Sequence, residues 1–271
     1  MIEKRILDVA MRQSAIDLNC DISDFSAEEN RVVISETNHE ARKYLTLPFD
    51  CDLVSYGGNI VASVKEELRE TVADYLSRYE AAHCFETPNM HVLDDALSVH
   101  GLRICFMAEY FLPDETLTAA MQVPQEEAAS VKDFPFTLRL LGPEDFAPLY
   151  IPEWRNALCE ARKQLDVLGV GAFDGEKLVG LAGCSADCDT MWQIGVDVLP
   201  EYRKRGIASV ITRRLALEIL ARGKVPFYCA AWSNIRSVRN AIKSSFRPAW
   251  VEMTAKPDAF VDKMNDIGQK C

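Results

Sequence analysis

A chain of 271 residues that is 48% hydrophobic and 9% aromatic has enough apolar content to fill one large core or two small ones, which excludes a disordered or fibrous polymer. With 41 acidic against 30 basic side chains the net charge is −11, which argues against nonspecific binding to nucleic acid and suits a cationic or amine-bearing partner. No stretch reaches the roughly 18 apolar residues of a membrane span, and Met1-Ile-Glu-Lys-Arg-Ile-Leu-Asp breaks any export-type core with charge, so a cytoplasmic, unexported chain is expected.

In chain order, the first legible elements are Asp52 to Ser55 and Ile60 to Ser63, two apolar runs flanking Tyr56-Gly57-Gly58-Asn59. That pattern predicts a hairpin. A phosphate loop at Gly57-Gly58 is the lesser reading, because a strand follows it and no basic residue adjoins it. Lys65 to Tyr79 is patterned as an amphipathic helix with Leu68, Val72, Tyr75 and Leu76 inward, and Glu86 to Val99 as a second. Gly101 ends that helix, and Leu102 to Leu112 reads as a strand. From Pro113 to Pro135, three prolines and several acids have the composition of a linker, with Glu126 to Val131 as a possible short helix within it. Domains at 1–120 and 134–271 follow.

The second half is more regular. Thr137 to Leu141 reads as a strand, with helical segments at Glu144 to Leu149 and Trp154 to Gln164. Val167 to Phe173 and Leu178 to Ser185 are strands joined by Asp174-Gly175-Glu176-Lys177, and Asp-Gly between apolar runs is a strong hairpin signal. Met191 to Leu199 is a further strand, stopped by Pro200. From Gly206 to Arg222 the period changes to that of a helix: Ile207, Val210, Ile211 and Leu215 share a buried face, while Arg214, Glu218 and Arg222 climb the other. This is an α/β layout around one mixed sheet.

Nine cysteines in irregular spacing, without a Cys-x-x-Cys pair, fit reduced thiols. Cys184 and Cys188 straddle a turn, but no histidine lies close in sequence and no metal is expected.

The chemistry concentrates where the strand ending at Leu199 turns into the helix. The first turn of a helix has unpartnered N–H groups and a partial positive charge, so it receives an anion well. Gly206 and Ala208 keep the backbone approachable, and glycine adopts the left-handed conformations of an amide nest. Arg203, Lys204, Arg205, Arg213, Arg214, Arg222 and Lys224 face Glu218 alone across this stretch, a local reversal of sign in an acidic chain. The Gly-Lys-Ser/Thr ending of a P-loop is absent, as is the three-glycine dinucleotide turn.

Val198-Leu-Pro-Glu-Tyr-Arg-Lys-Arg-Gly-Ile-Ala-Ser209 resembles the acetyl-CoA signature of the GNAT N-acetyltransferase superfamily: Arg or Gln, two residues, Gly, one residue, Gly or Ala. Val225 to Ala231 resembles the next strand of that family. Asn234 to Phe246 resembles the helix beyond, with Ser245 where the family usually has glycine. The resemblance runs from about Phe136 to Lys256 and implies a mixed central sheet flanked by helices, preceded by a smaller α/β N-terminal domain that is either a silent second copy or an unrelated cap. It implies that the strand binds pantetheine through the backbone of Val196 and Val198. It further implies that Arg203, Lys204, Arg205, Gly206, Ile207, Ala208 and Ser209 hold the pyrophosphate, with Asn234 beside acetyl-CoA.

Amine acetylation needs a group to take the proton and one to help the thiolate leave. The family often uses a strand Glu and a helix Tyr; here Trp192, Gln193 and Ile194 occupy the strand and Ala241 the helix position. Asp197 is the candidate base on the strand, although alternation points it the opposite way and suits capping or ion pairing. Glu153, Asp189 and Tyr228 are further candidates, and His83, His91 and His100 lie in the other half. The expected activity is acetyl transfer to a small-molecule amine without a metal; the alternative is an acyl-CoA-binding sensor or interaction protein without turnover.

Overall fold

The computed structural model describes residues 1–122 and 134–268. These form two compact units that interleave along the chain, one of Met1–Ala10 with Tyr110–Ala249, the other of Met11–Glu109 with the residues from Trp250 onward. A single boundary near residue 120, as read from composition, is not how the contacts divide. The reason lies in two long strands, β4 (Leu102–Pro113) and β10 (Phe246–Pro257), each of which contributes its two ends to different units.

The first unit described here contains most of helix α1 (Lys4–Leu18), β1 (Arg31–Ile34), β2 (Cys51–Ser55), β3 (Val61–Val64), α2 (Arg69–Arg78) and α3 (Thr87–Ser98), followed by parts of β4 and β10. β2 and β3 form the predicted antiparallel hairpin, and Gly57 takes a φ of 99° in its turn. The turn reading of Gly57-Gly58 is the one observed. β1 runs parallel to β3, and β10 pairs antiparallel with β2. Leu53, Ile60, Val64, Leu68, Val72, Leu76, Leu93 and Leu97 make the core, so α2 buries the face its periodicity indicated. Sequence reading assigned no element to α1. Its buried positions include Gln13, Ser14 and Asp17, and these polar residues mask the apolar period. Asp17 is buried against Arg42, whose guanidinium also reaches Glu252 at 3.3 Å.

The second unit carries α4 (Glu115–Ala119), β5 (Thr137–Leu141), α5 (Pro143–Phe146), β6 (Asp166–Asp174), β7 (Lys177–Ser185), β8 (Met191–Val198), α6 (Ile207–Ala221), β9 (Val225–Ala231) and α7 (Ile235–Lys243). A last helix, α8 (Asp258–Gly268), follows β10 in the other unit. Strands β5 to β8 form an antiparallel meander, and β9 then joins β8 in parallel. On the far side of β9 lies β4 and then β10. The mixed α/β sheet flanked by helices is therefore as expected.

Three local readings change. The linker does not begin at Pro113: Asp114 accepts hydrogen bonds from the amides of Thr116 and Leu117 as the cap of α4, and Leu117 is fully buried beside Phe111 in this unit's core. The helix expected within 126–131 lies outside the described residues. Trp154 to Gln164 is not an α-helix either. It forms short 3-10 turns at Pro152–Trp154 and Glu160–Leu165 with an irregular stretch between. The amides a helix would use are committed elsewhere, those of Asn156 and Ala157 to Asp197 and that of Cys159 to Asp166. The helix expected through Phe246 ends at Lys243, and Phe246 opens β10.

Candidate functional site

The sheet of this unit has two differently furnished faces where β7 and β8 meet. On one, a side chain at Gly180 would come within 2.6 Å of Ile207, so α6 packs directly on the strands. On the other, Gly183 and Gly195 stand opposite each other in register, and a Cβ on either would overlap the carbonyls of Ala157 and Asn156. The irregular segment 155–159 thus lies with its backbone against the sheet, which only glycine permits. Asp197, on the same face as Gly195, fastens that segment. Its carboxylate accepts from the Asn156 amide at 2.8 Å, the Asn156 side-chain amide at 2.6 Å and the Ala157 amide at 3.0 Å. Asp166 helps, accepting from the Cys159 amide at 2.9 Å and the Tyr150 hydroxyl at 3.2 Å, and burial raises its pKa above the usual carboxylate range.

Strands β8 and β9 are paired only from Met191–Ile194 to Val225–Tyr228, although β8 continues to Val198 and β9 to Ala231. Past Ile194 the ladder ends, leaving a fork. Which backbone groups face it follows from the pairing on the other side. Leu199 donates to the Val179 carbonyl, so in the antiparallel ladder the odd-numbered residues of β8 turn their N–H and C=O toward β7. The N–H and C=O of Val196 and Val198 then turn toward the fork. The Val198 carbonyl accepts from Arg203 Nε at 3.1 Å, which draws that side chain back beneath the strand end.

At the tip of β8, Pro200–Tyr202 makes one 3-10 turn and the chain enters α6 through two left-handed residues, Lys204 with φ 65° and Gly206 with φ 80°. Gly206 is the N-cap of α6 and offers no side chain to its first amides. Residues 203–206 are exposed and Ala208 and Ser209 half-buried, so the amides at this helix start remain approachable. Alternating left-handed positions ahead of a 15-residue helix form a concavity of approachable amides, the kind of geometry that suits an anion. Ser209 turns its hydroxyl back to the Gly206 carbonyl at 3.0 Å.

Helix α7 packs on the same face of the sheet as α6. Tyr228, on the last paired position of β9, shares a 2.7 Å hydrogen bond with Ser237, and Asn240 donates to Thr212 of α6 at 3.1 Å. Burial raises the Tyr228 pKa. Asn234 caps α7, its side-chain oxygen accepting from the Ser237 amide at 3.2 Å. Ser245 adopts φ 66°, the left-handed conformation for which glycine is favoured, and its hydroxyl accepts from Arg213 at 2.8 Å.

The structure therefore gathers Val196, Val198 and residues 203–209 along one strand, turn and helix, with Tyr228 at the fork. Asp197 is present with both carboxylate oxygens engaged by the 156–157 backbone and Asn156 side chain. Glu153 is exposed on the turn just before that segment. Asp189 is separated from the fork, for it precedes the end of β8 that stays paired with β9. His83, His91 and His100 are exposed residues of the other unit. Sequence reading missed the Gly183–Gly195 pair and the contact of Gln193 Nε2 with Cys229 Sγ at 2.9 Å on the Asp197 face. Two glycines in adjacent apolar strands were the available signal. Among the described residues no group of three His, Cys, Asp or Glu side chains could hold a metal, and no helix is long and apolar enough to cross a membrane.

Comparison with known proteins returns one family model, GNAT acetyltransferase, over residues 149–248. No curated protein matches the sequence. Among solved structures, a GCN5-related N-acetyltransferase-like protein from Streptococcus suis is 19% identical over 61% of this chain and 67% of its own, with a TM-score of 0.44. A GNAT-family acetyltransferase from Colwellia psychrerythraea is 14% identical over 60% and 61%, with a TM-score of 0.39. A tandem GNAT protein from the clavulanic acid biosynthesis pathway is 13% identical over 60% and 57%, with a TM-score of 0.43. The chain spans about two thirds or less of the length of these relatives.

Proposed function

We propose that this chain, a GNAT-type protein whose residues 149–248 match the GNAT acetyltransferase family model, is an acetyl-CoA-dependent N-acetyltransferase acting on the amine of a small molecule. The observation that carries this reading is the fork between β8 and β9, continuous with the left-handed turn at Lys204 and Gly206. The N–H and C=O of Val196 and the N–H of Val198, which face away from β7, would bond the amides of a pantetheine arm lying in the fork, as a further strand would. The amides at the start of α6, with Arg203, Lys204 and Arg205 around them, suit the pyrophosphate. Asn234 lies at the start of α7 on the same face of the sheet, beside the expected path of the coenzyme.

Acetyl transfer joins the amine nitrogen to the acyl carbon and releases a thiol; the amine gives up the proton that the sulfur takes. Backbone N–H donors fixed on a strand polarise an acyl carbonyl at no reorganisation cost. Asp197 acts as a positioning residue in this scheme, holding Asn156 and Ala157 over the strand beside the fork, where an acceptor would be seated. The Tyr228 hydroxyl, held by Ser237 at the point where the strands part, is a candidate proton donor to sulfur. A panel of primary amines assayed with acetyl-CoA tests the proposal: release of free thiol with a matched acetylated amine supports it. Tight coenzyme binding without transfer to any amine would favour a sensor.

A further inference from the structure

Helix α7 turns an exposed basic and apolar face away from its buried Ala241 and Ser244. Taking about 100° per residue, Ile242, Ile235, Arg239, Lys243 and Arg236 fall within one arc of roughly 120°. All five are exposed, with Ile235 at 50% and Ile242 at 43%, and Trp232 just before the helix is 56% exposed. Buried Ala241 and Ser244 face the other way. The three cations extend over about 10 Å of helix. In sequence, no Asp or Glu occurs between Glu218 and Glu252. Among the described residues, the ion pairs of this unit involve other bases, among them Arg139 with Glu176, Lys177 with Glu201, Arg214 and Arg222 with Glu218, and Arg247 with Asp114.

We propose that this face of α7 docks an acidic carrier protein that brings the acyl group on a phosphopantetheine arm. The inference rests on the reading of the fork as an acyl-thioester site. Three observations choose this occupant. The charge is complementary to an acidic surface and opposite to that of the rest of a −11 chain. Exposed isoleucines and a tryptophan among the cations suit a protein surface better than a phosphate backbone. The surface belongs to a helix tied to α6 through Asn240–Thr212, on the α6 face of the sheet and not on the Asp197 face, so it lies on the donor side. A carrier-bound thioester reacts with the same balance as before: the C–N bond forms, the C–S bond breaks, and the carrier's sulfur takes the proton lost by the amine.

The test uses the full chain and an acidic acyl carrier protein whose arm has been acetylated, with binding followed by fluorescence anisotropy and acetyl-CoA titrated in parallel. The expected result is saturable binding of the acetylated carrier that Arg236→Glu/Arg239→Glu/Lys243→Glu weakens by about tenfold or more, while acetyl-CoA affinity is unchanged. The corresponding triple Gln variant should show a smaller loss in the same direction. Absence of carrier binding where acetyl-CoA still binds overturns the proposal and leaves the fork reading intact. An equal loss of acetyl-CoA affinity in the Glu variant also overturns it, assigning the cations to the coenzyme's own phosphates. Preferential binding of a DNA duplex with the same sensitivity would assign them to nucleic acid. Failure of both acetyl-CoA and carrier to bind removes the fork reading and the proposal together.

Discussion

Gly195 and Gly206 are required for opposite reasons, and substituting alanine separates them. At Gly195 the added Cβ would overlap the Asn156 carbonyl, so the 155–159 segment must shift, an overpacking cost of about 1–3 kcal/mol. At Gly206 the added Cβ meets nothing within 4 Å, and only the left-handed φ is penalised, by about 1–2 kcal/mol. Urea denaturation should show both losses, with amine KM raised only in Gly195→Ala. Asp197→Ala removes three hydrogen bonds to the same segment and should cost about 1–3 kcal/mol. If Asp197 positions the segment, Asp197→Asn should raise KM more than it lowers kcat; a collapse of kcat with a titrating pH profile lost would make it a base instead. In the other unit, Asp52 is fully enclosed with one carboxylate oxygen unpartnered, and burial with the neighbouring Glu252 raises its pKa well above the usual value. An acid with a raised folded pKa holds its proton more tightly folded than unfolded. Stability is therefore lost as pH rises from the ordinary aspartate range through the folded pKa. Asp52→Asn should remove that loss, so the variant gains on the wild type as pH increases; parallel stability profiles would contradict this.

Among the elements, those with a local cause were legible. The Asp174-Gly175 hairpin, the strand stopped by Pro200 and the helix opened at Gly206 each follow from turn chemistry and period, and they carry the side of the site proposed for the pyrophosphate. The proposed acceptor side was not legible, because segment 155–159 is fixed by contacts with glycines and an aspartate about 25 to 40 residues away. Its apolar Trp154, Ala157 and Leu158 imitate helical spacing while serving a small separate core with Phe146 and Leu181. Helix α1 was missed for an electrostatic reason: Asp17 joins Arg42 and, through it, Glu252 of β10. Arg42→Ala would leave two buried carboxylates without their cation and should cost about 3–5 kcal/mol, measurable as a lowered denaturation midpoint.

On the scale of the whole molecule, composition suggested two domains in series, whereas the contacts give two interleaved units. Composition marks where a chain is polar and proline-rich; it carries no signal that a strand before the linker belongs to the sheet after it. Phe111 of β4 and Leu117 of α4 are both fully buried in the core that also holds Ile211, Tyr228 and Phe246. A fragment beginning at residue 134 lacks these side chains and the strand lying between β9 and β10. It should fail to give a cooperative thermal transition, whereas the full chain should give one; independent folding of the fragment would restore the serial boundary.

The central claim is that the fork and the left-handed turn at the start of α6 form a coenzyme A site. Calorimetric titration of the full chain with acetyl-CoA, beside the Gly206→Glu variant, tests it most directly. The account predicts saturable binding by the wild type and none by the variant, whose carboxylate would stand where the pyrophosphate is expected, with circular dichroism unchanged. Equal affinity in both proteins, or no binding by the wild type, would contradict it.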